Sequence, residues 1–144
     1  MINLATITAA MESLLTSQSA LSGYTIERSA LVNDVTGRLP WVGIYRGDIA
    51  YAPRTLGSAS VSWKAILTLH IRVQNIGETE ADAEDKLEAS LAAVLAAIQT
   101  DRTIGGTVTM TTGYKVDYFS GPGAESSLYW QMADVTVTCE ARTA

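Results

Sequence analysis

The chain has 144 residues, of which 47% are hydrophobic, and this combination predicts one folded domain spanning residues 1–144. These values exclude a disordered chain, because a chain of this length and apolar content can bury a core that stabilises the fold without disulfide bonds or bound metal ions. The 10 Lys and Arg are scattered and outnumbered by 15 Asp and Glu, giving a net charge of −5, which excludes the basic patch of a tight nucleic-acid binder.

The first half of the chain predicts a helix followed by two strands. Apolar residues recur at helical spacing from Asn3 to Gln18, and Asn3 is a suitable N-cap. Residues 24–28 alternate like a strand at a sheet margin, and residues 41–46 predict a second strand. Two stretches have the Gly, Pro, Asn and Asp content of exposed loops, namely residues 29–40 and 47–58.

A long strand and a second helix follow. Residues 61–74 alternate more clearly than any other stretch, and Ile66 interrupts the alternation, which predicts a bulge there. Thr79 with Asp82 three residues later resembles a capping box at the start of a helix over residues 78–99.

The remainder of the chain predicts two or three strands. Residues 108–118 alternate around a break at residues 111–113, which marks either a bulge or a turn. A Gly-Pro-Gly loop over residues 120–127 precedes a closing strand over residues 128–141. Few connections resemble parallel crossovers, so the predicted fold class is α+β, a mostly antiparallel sheet of four to six strands with two helices packed on one face.

Catalytic and cofactor-binding patterns are not recognised in the sequence. His70 is the single histidine and has no neighbours at metal-ligand spacing. The single cysteine, Cys139, excludes an intrachain disulfide, and its alternating neighbours predict a buried side chain. The acidic run 78–88 lacks the spacing of a calcium loop and predicts a solvated helix start. We expect no catalytic residue, no cofactor and no metal site, with weak divalent binding at a subunit contact left open.

Targeting and membrane-spanning patterns are likewise not recognised. The first 20 residues lack the basic start and continuous apolar stretch of a signal peptide. No stretch approaches the roughly 18 apolar residues needed to cross a bilayer. The sequence therefore predicts a protein that folds in the cytosol and does not enter a membrane.

Aromatic and arginine side chains at strand ends and in long loops are the most informative residues. Trp, Tyr and Arg concentrate at interface hot spots. Each of the aromatic residues taken alone is equally consistent with filling the core of the sheet. As a group they predict an assembly interface, formed by Arg38, Trp41, Tyr45, Arg46, Tyr51, Arg54, Tyr118, Phe119, Tyr129 and Trp130.

Five segments together resemble a known family. They are the opening helix 3–18, the stretch 39–45, the long strand 62–73, the helix 78–99 and the closing strand 131–142. In this order they resemble the tail-terminator (tail-completion) proteins of long-tailed bacteriophages. The resemblance covers essentially the whole chain and rests on pattern, without a diagnostic motif.

The resemblance implies a ring, expected to be hexameric, that caps the tail tube, ends tube polymerisation and offers a surface for head–tail joining. The implied partners are further copies of the chain, the tail tube protein and a head-completion or connector protein, while DNA passes through without specific binding. The implied location is the tail or neck of the virion, after assembly in the host cytoplasm.

Three alternatives stay open at this stage. The chain is also consistent with another neck or head-completion component of a virion. A small-ligand-binding module or an enzyme of unrecognised type would need a concave pocket with convergent polar groups. A non-viral oligomeric α+β protein would differ in its genomic neighbours and in its assembly.

Overall fold

The computed structural model describes residues 2–28, 40–53, 63–122 and 129–143, and the structural findings concern these residues. They form two helices, α1 (Leu4–Thr16) and α2 (Glu80–Thr100). They also form the strands β1 (Thr25–Arg28), β2 (Trp41–Pro53), β3 (Trp63–Gly77), β4 (Met110–Pro122) and β5 (Tyr129–Thr143).

The five strands form one sheet in the order β1-β2-β3-β5-β4. β1 runs parallel to β2, and every other neighbouring pair is antiparallel. β3 and β5 lie at the centre and pair without a register shift from Trp63 opposite Thr143 to Gly77 opposite Tyr129. The predicted α+β fold with a mostly antiparallel sheet is confirmed.

Both helices pack on one face of this sheet, as the sequence predicts. Side chains alternate between the faces of a strand, so the odd-numbered residues of β3 and β5 point to the same side. Those from Ala65 to Val73 and from Ala133 to Ala141 are buried in one cluster with apolar residues of both helices. Each large aliphatic side chain in it stabilises the fold by roughly 1.5–3 kcal/mol. The helix residues are Ile7, Met11, Leu15, Leu87, Leu91, Val94, Ala97 and Ile98.

Each helix begins at the predicted cap. Asn3 Oδ1 accepts hydrogen bonds from the amides of Ala5 (3.0 Å) and Thr6 (3.3 Å) at the start of α1. At α2, Thr79 Oγ1 accepts from the Asp82 amide (3.0 Å), and Asp82 Oδ2 accepts from the Glu78 amide (3.2 Å). The predicted capping box is therefore confirmed, with the return bond reaching one residue further back than usual.

The other end of α2 is closed by a carboxylate. Asp101 accepts hydrogen bonds from the Thr103 amide (3.1 Å), the Thr103 hydroxyl (2.8 Å) and the Gly105 amide (2.8 Å). These bonds, led by that from Gly105, lower the pKa of Asp101. Ile104 has φ +49°, a conformation that strains a β-branched residue, and its complete burial holds it there.

A buried polar chain ties the sheet to α2. Asn75 on β3 is 2% exposed; its amide nitrogen donates to Ser90 Oγ (2.7 Å), and its Oδ1 accepts from Tyr24 Oη (3.1 Å). Ser90 Oγ in turn donates to the α2 backbone. Because every member has a partner, this chain fixes α2 against one end of β3 at little desolvation cost.

The prediction of a loop over residues 47–58 is wrong for residues 47–53. β2 continues to Pro53, because two of its residues, Gly47 and Asp48, stand opposite one residue of β3, Thr68, and pairing then resumes. Thr68 Oγ1 accepts from the Asp48 amide (2.9 Å) and fills the space that a Cβ at Gly47 would need. The bulge therefore lies on β2, and the predicted bulge at Ile66 is wrong.

The break at residues 111–113 is a bulge rather than a turn, so β4 is one strand from Met110 to Pro122. Arg102 binds it there: its carbonyl accepts from the Thr111 amide (2.7 Å) and its guanidinium donates to the Thr111 carbonyl (3.2 Å). The first three residues of the predicted loop 120–127 belong to this strand. The rest of that loop, and residues 29–39 and 54–58 of the other predicted loops, lie outside the described residues.

Candidate functional site: the open face and the β4 edge

The face of the sheet opposite the helices is here named the open face. Among the described residues, no helix packs on it, and most of its side chains are partly exposed. Strand register sorts these side chains into rows across the sheet. The two central rows are Gly43–Arg72–Asp134–Asp117 and Tyr45–His70–Thr136–Lys115.

Charge is nearly balanced on the open face and unbalanced on α2. The described open-face residues include four basic side chains, Lys64, Arg72, Lys115 and Arg142, and five acidic ones, Glu27, Asp117, Asp134, Glu140 and, in the β2 bulge opposite Thr68, Asp48. α2 carries one basic side chain, Lys86, and five acidic ones, Glu80, Asp82, Glu84, Asp85 and Glu88. Most of the net negative charge of the described residues therefore lies on the helical side, and the open face is nearly neutral.

The centre of the open face is a charged cluster. Asp134 lies between Arg72 (Nη2 to Oδ2, 3.6 Å) and His70 (Nδ1 to Oδ1, 3.8 Å). The Arg72 guanidinium stacks 5.9 Å from the centre of the Tyr45 ring, and the Thr136 hydroxyl lies 3.3 Å from His70 Nδ1. Two buried atoms of the cluster, Arg72 Nε and Asp134 Oδ1, have no hydrogen-bond partner among the described residues. Their burial without a partner makes the cluster a weak contributor to the stability of the subunit alone.

Trp41 lies against the open face and is fully buried. Its indole Nε1 donates to Glu27 Oε2 (3.1 Å), and its ring covers Gly43, where a Cβ would collide with it. The Tyr45 ring is adjacent, with 6.4 Å between ring centres. This is the core position that the sequence left open as the alternative for Trp41; the close approach requires glycine at residue 43.

Beside Trp41, one end of the open face is apolar. Met132 and Phe119 share the row of Trp41, and Ile76 and Trp130 form the next row towards the strand ends. Phe119 is 47% exposed, and Ile76, Trp130 and Met132 are partly exposed. These four residues are here named the apolar end.

The structure brings together four predicted interface residues and separates the others. Trp41, Tyr45, Phe119 and Trp130 share the open face. By register, four others lie on the helical side: Arg46, Tyr51, Tyr118 and Tyr129. The remaining two, Arg38 and Arg54, lie outside the described residues.

Two of the tyrosines on the helical side have partners within the subunit. The Tyr51 hydroxyl accepts from the Ile2 amide (3.2 Å). Tyr118 faces Glu88 on α2, and its pKa is raised by partial burial and then by that carboxylate. Both rings remain exposed, so their predicted interface role stays a prediction.

β4 forms one margin of the sheet, with β5 as its neighbour. No described strand pairs with its outer edge, and α2 packs over β3 and β5 rather than over β4. A margin strand presents backbone N–H and C=O groups to any incoming strand. Four large side chains on it are more than 40% exposed: Met110, Tyr114, Tyr118 and Phe119.

Other candidate sites are less developed. A cleft of about 290 Å³ lies between the end of α2 and β4, and its polar groups bind one another: Gln99 to Tyr114 (2.8 Å) and Arg102 to Thr111. Cys139 is buried, as predicted, and burial raises its pKa. In the described ranges no three His, Cys, Asp or Glu side chains gather as metal ligands would. Neither described helix combines the length and hydropathy that a membrane span requires.

The central cluster was missed by sequence reasoning. The alternation in residues 61–74 places His70 and Arg72 on the polar face of one strand, but their partner, Asp134, is on another strand 62 or more residues later. The strand order that joins them has no signal in one sequence. The Trp41-Val42-Gly43 pattern was a usable signal, because a glycine two residues after a tryptophan leaves room for the ring on that face.

Comparison with known proteins gives limited information. No protein family's sequence profile matches the chain, and no curated protein sequence matches it. Among solved structures, a chain from the virion of a native gene transfer agent particle is 14% identical, with a TM-score of 0.48 over 93% of this chain and 94% of that chain. A likeness at this level transfers neither a fold family nor a function.

Proposed function

We propose that this chain is a structural protein of a phage-like virion, which forms a ring that caps the tail tube. The ring ends tube polymerisation and offers the surface on which the head is joined. The terminator role, the hexameric number and these partners are taken from the resemblance of the sequence pattern. The observation that carries an assembly function is the open face, on which no described helix packs and whose apolar end is exposed at Phe119.

Three properties of the open face support contact with a second copy of the chain. Its charges nearly balance, so two copies meet there without the repulsion that the five carboxylates of α2 would cause. The Arg72–Asp134 ion pair is partly accessible, with side chains 40% and 22% exposed, and can contact polar groups of a neighbour. The apolar end offers Phe119, Trp130 and Met132, residue types that are enriched at interfaces. In the ring, the open face of each copy is covered by its neighbour.

Light scattering over a concentration series, followed by negative-stain imaging with tail tubes of the same particle, tests this proposal. Rings, or caps at one end of each tube, are the expected result. A monomer at every concentration that leaves the tubes free to elongate would overturn it. Met132→Lys should abolish the rings or caps, because it places an unpaired charge in the apolar end. The matched control, Ala92→Lys on the exposed side of α2, should assemble normally.

Another neck component would behave differently in this experiment. It would bind a head connector and leave tube length unchanged. A small-ligand-binding module would do neither, and the cleft beside Tyr114 would then be the site to probe.

A further inference from the structure

The accessible part of the β4 edge begins after the bulge at residues 111–113. Arg102 binds both backbone groups of Thr111, which closes the edge as far as the bulge. After the bulge, β4 pairs with β5 without interruption, from Gly113 opposite Thr138 to Phe119 opposite Met132 and beyond. Within this stretch, Val116 lies between two side chains of opposite charge, Lys115 and Asp117.

When two copies of β4 are placed antiparallel around Val116, each side chain stands opposite one of complementary type. In an antiparallel pair centred on Val116, Lys115 stands opposite Asp117 of the second copy, and Asp117 stands opposite its Lys115. On the other side of the strand, Tyr114 stands opposite Tyr118 in the same way. Directly opposed unlike charges and aromatic pairs are the contacts that stabilise antiparallel strands.

The geometry points to a two-fold dimer in which β4 pairs with β4 of a second copy around Val116. The two sheets then form one sheet of ten strands, counted over the described residues, with all helices on one face. The charges that must meet are accessible: Lys115 is 77% exposed and Asp117 is 46% exposed, and within one copy they lie 3.6 Å apart. In the dimer each gains a partner on the neighbouring strand.

The second copy fits without displacing the first. Each α2 packs over β3 and β5, so the two copies of α2 are separated by both β4 strands, roughly 10–15 Å at the usual strand spacing. The hydroxyls of Tyr114 and Tyr118 are directed towards Gln99 and Glu88 of α2 and leave the rings beside the edge exposed. Pairing also covers a margin strand that would otherwise be open to indiscriminate association.

This contact is separate from the proposed ring. A two-fold contact uses the same patch on both copies and closes on itself, whereas a ring needs two different patches. Its test therefore requires no tail tubes. Because Lys115 and Asp117 also lie on the open face, the two contacts are told apart by Met132→Lys, which should abolish the caps and leave the dimer unchanged.

Charge exchange across the pair is the decisive experiment. Sedimentation velocity over a concentration series should show a monomer–dimer equilibrium for the unmodified chain. Lys115→Asp alone, or Asp117→Lys alone, should raise the Kd at least about tenfold, because each puts like charges opposite one another twice. Equal mixtures of the two variants should regain the dimer, since every opposed pair is again Lys with Asp. The double variant should regain it alone.

Matched controls carry the same charge changes away from the edge. Lys86→Asp and Asp85→Lys on α2 should leave the Kd within about twofold. Val116→Cys should form a disulfide-linked dimer under mild oxidation, and Ala92→Cys should not. A monomer at all concentrations would overturn the inference. So would a dimer that the edge variants do not weaken, or single variants that fail to associate on mixing.

Discussion

The two faces of the sheet are built from the same strands and differ in what they hold. On the helical face, β3 and β5 contribute an unbroken series of apolar side chains, all of them buried from Ala65 to Val73 and from Ala133 to Ala141. On the open face, the intervening residues other than Ile66 are charged or polar, and most are half-exposed. The fold is therefore stabilised chiefly from one side, which leaves the other side free to carry an assembly surface.

Adjacent residues of β3 test this difference most strongly. Leu67 is fully buried on the helical face, whereas Ile66 is 49% exposed on the open face. Leu67→Ala should lower the free energy of unfolding by about 2–5 kcal/mol, because it removes buried methyl groups and leaves a cavity. Ile66→Ala should cost less than about 1 kcal/mol. Urea unfolding of both variants measures this; equal losses would mean that the open face is covered within the subunit.

Two glycines on the open face sharpen the comparison. A Cβ at Gly43 would collide with the Trp41 ring, whereas a Cβ at Gly113 meets nothing within 4 Å. Gly43→Ala should cost about 1–3 kcal/mol and change the near-ultraviolet circular dichroism of Trp41. Gly113→Ala should be nearly neutral. If Gly43→Ala were also neutral and left the spectrum unchanged, Trp41 would not lie over residue 43.

Each face of the sheet carries a polar cluster, and replacing one residue should destabilise the protein by different amounts in the two clusters. Asn75→Ala breaks the buried chain to Tyr24 and Ser90 and should cost about 1–3 kcal/mol, because it leaves buried groups unpaired. Asp134→Asn acts on partly exposed charges and should cost at most about 1 kcal/mol. Thermal unfolding distinguishes them, and a larger effect of Asp134→Asn would mean that the open-face cluster is structural.

The smallest expected changes in stability come from replacing two carboxylates whose pKa is lowered in the folded protein. In Asp101 the cause is hydrogen bonds, chiefly from the Gly105 amide. For Glu140 on the open face, desolvation opposes the shift, and bonds and charge from Lys64 and then Arg142 outweigh it. A lowered folded-state pKa stabilises the protein above the unfolded value, and this stability is lost as the pH falls through the folded pKa.

Asp101→Asn should therefore destabilise the protein by about 1 kcal/mol at pH 7, in low or high salt, and by much less near pH 2. Glu140→Gln should have a smaller effect, which 1 M salt removes, because its partners are exposed side chains. Unfolding curves at two pH values and two salt concentrations measure both. A loss for Asp101→Asn that stays the same at acid pH would contradict the hydrogen bonds to its carboxylate.

Most of the fold follows from local pattern. The caps at Asn3 and Thr79, the helical stripes and the alternation of residues 61–74 each depend on neighbours within about one turn or strand, so one sequence contains them. The continuation of β2 to Pro53 was missed because glycine is typical of turns. Gly47 instead lies within the strand, where Thr68 of the next strand occupies the position that a Cβ would need. Such tertiary contacts override local preference.

The candidate site was predictable only in part. Residue type indicated an interface, but residue type does not show which side of a strand is covered. Tyr45, Phe119 and Trp130 share the open face because β2, β5 and β4 belong to one sheet in a definite register, which the sequence does not reveal. Lys115 and Asp117 indicate pairing with a second copy only once β4 is known to be a margin strand.

Hydroxyl-radical footprinting of the free chain and of the chain on tail tubes tests the central claim most directly, because it reads side-chain exposure residue by residue. The account predicts that Phe119, Trp130 and Met132 lose most of their reactivity on assembly, while Tyr51 on the helical face keeps it. Unchanged reactivity at the apolar end, with protection along α2 instead, would contradict the open face as the assembly surface.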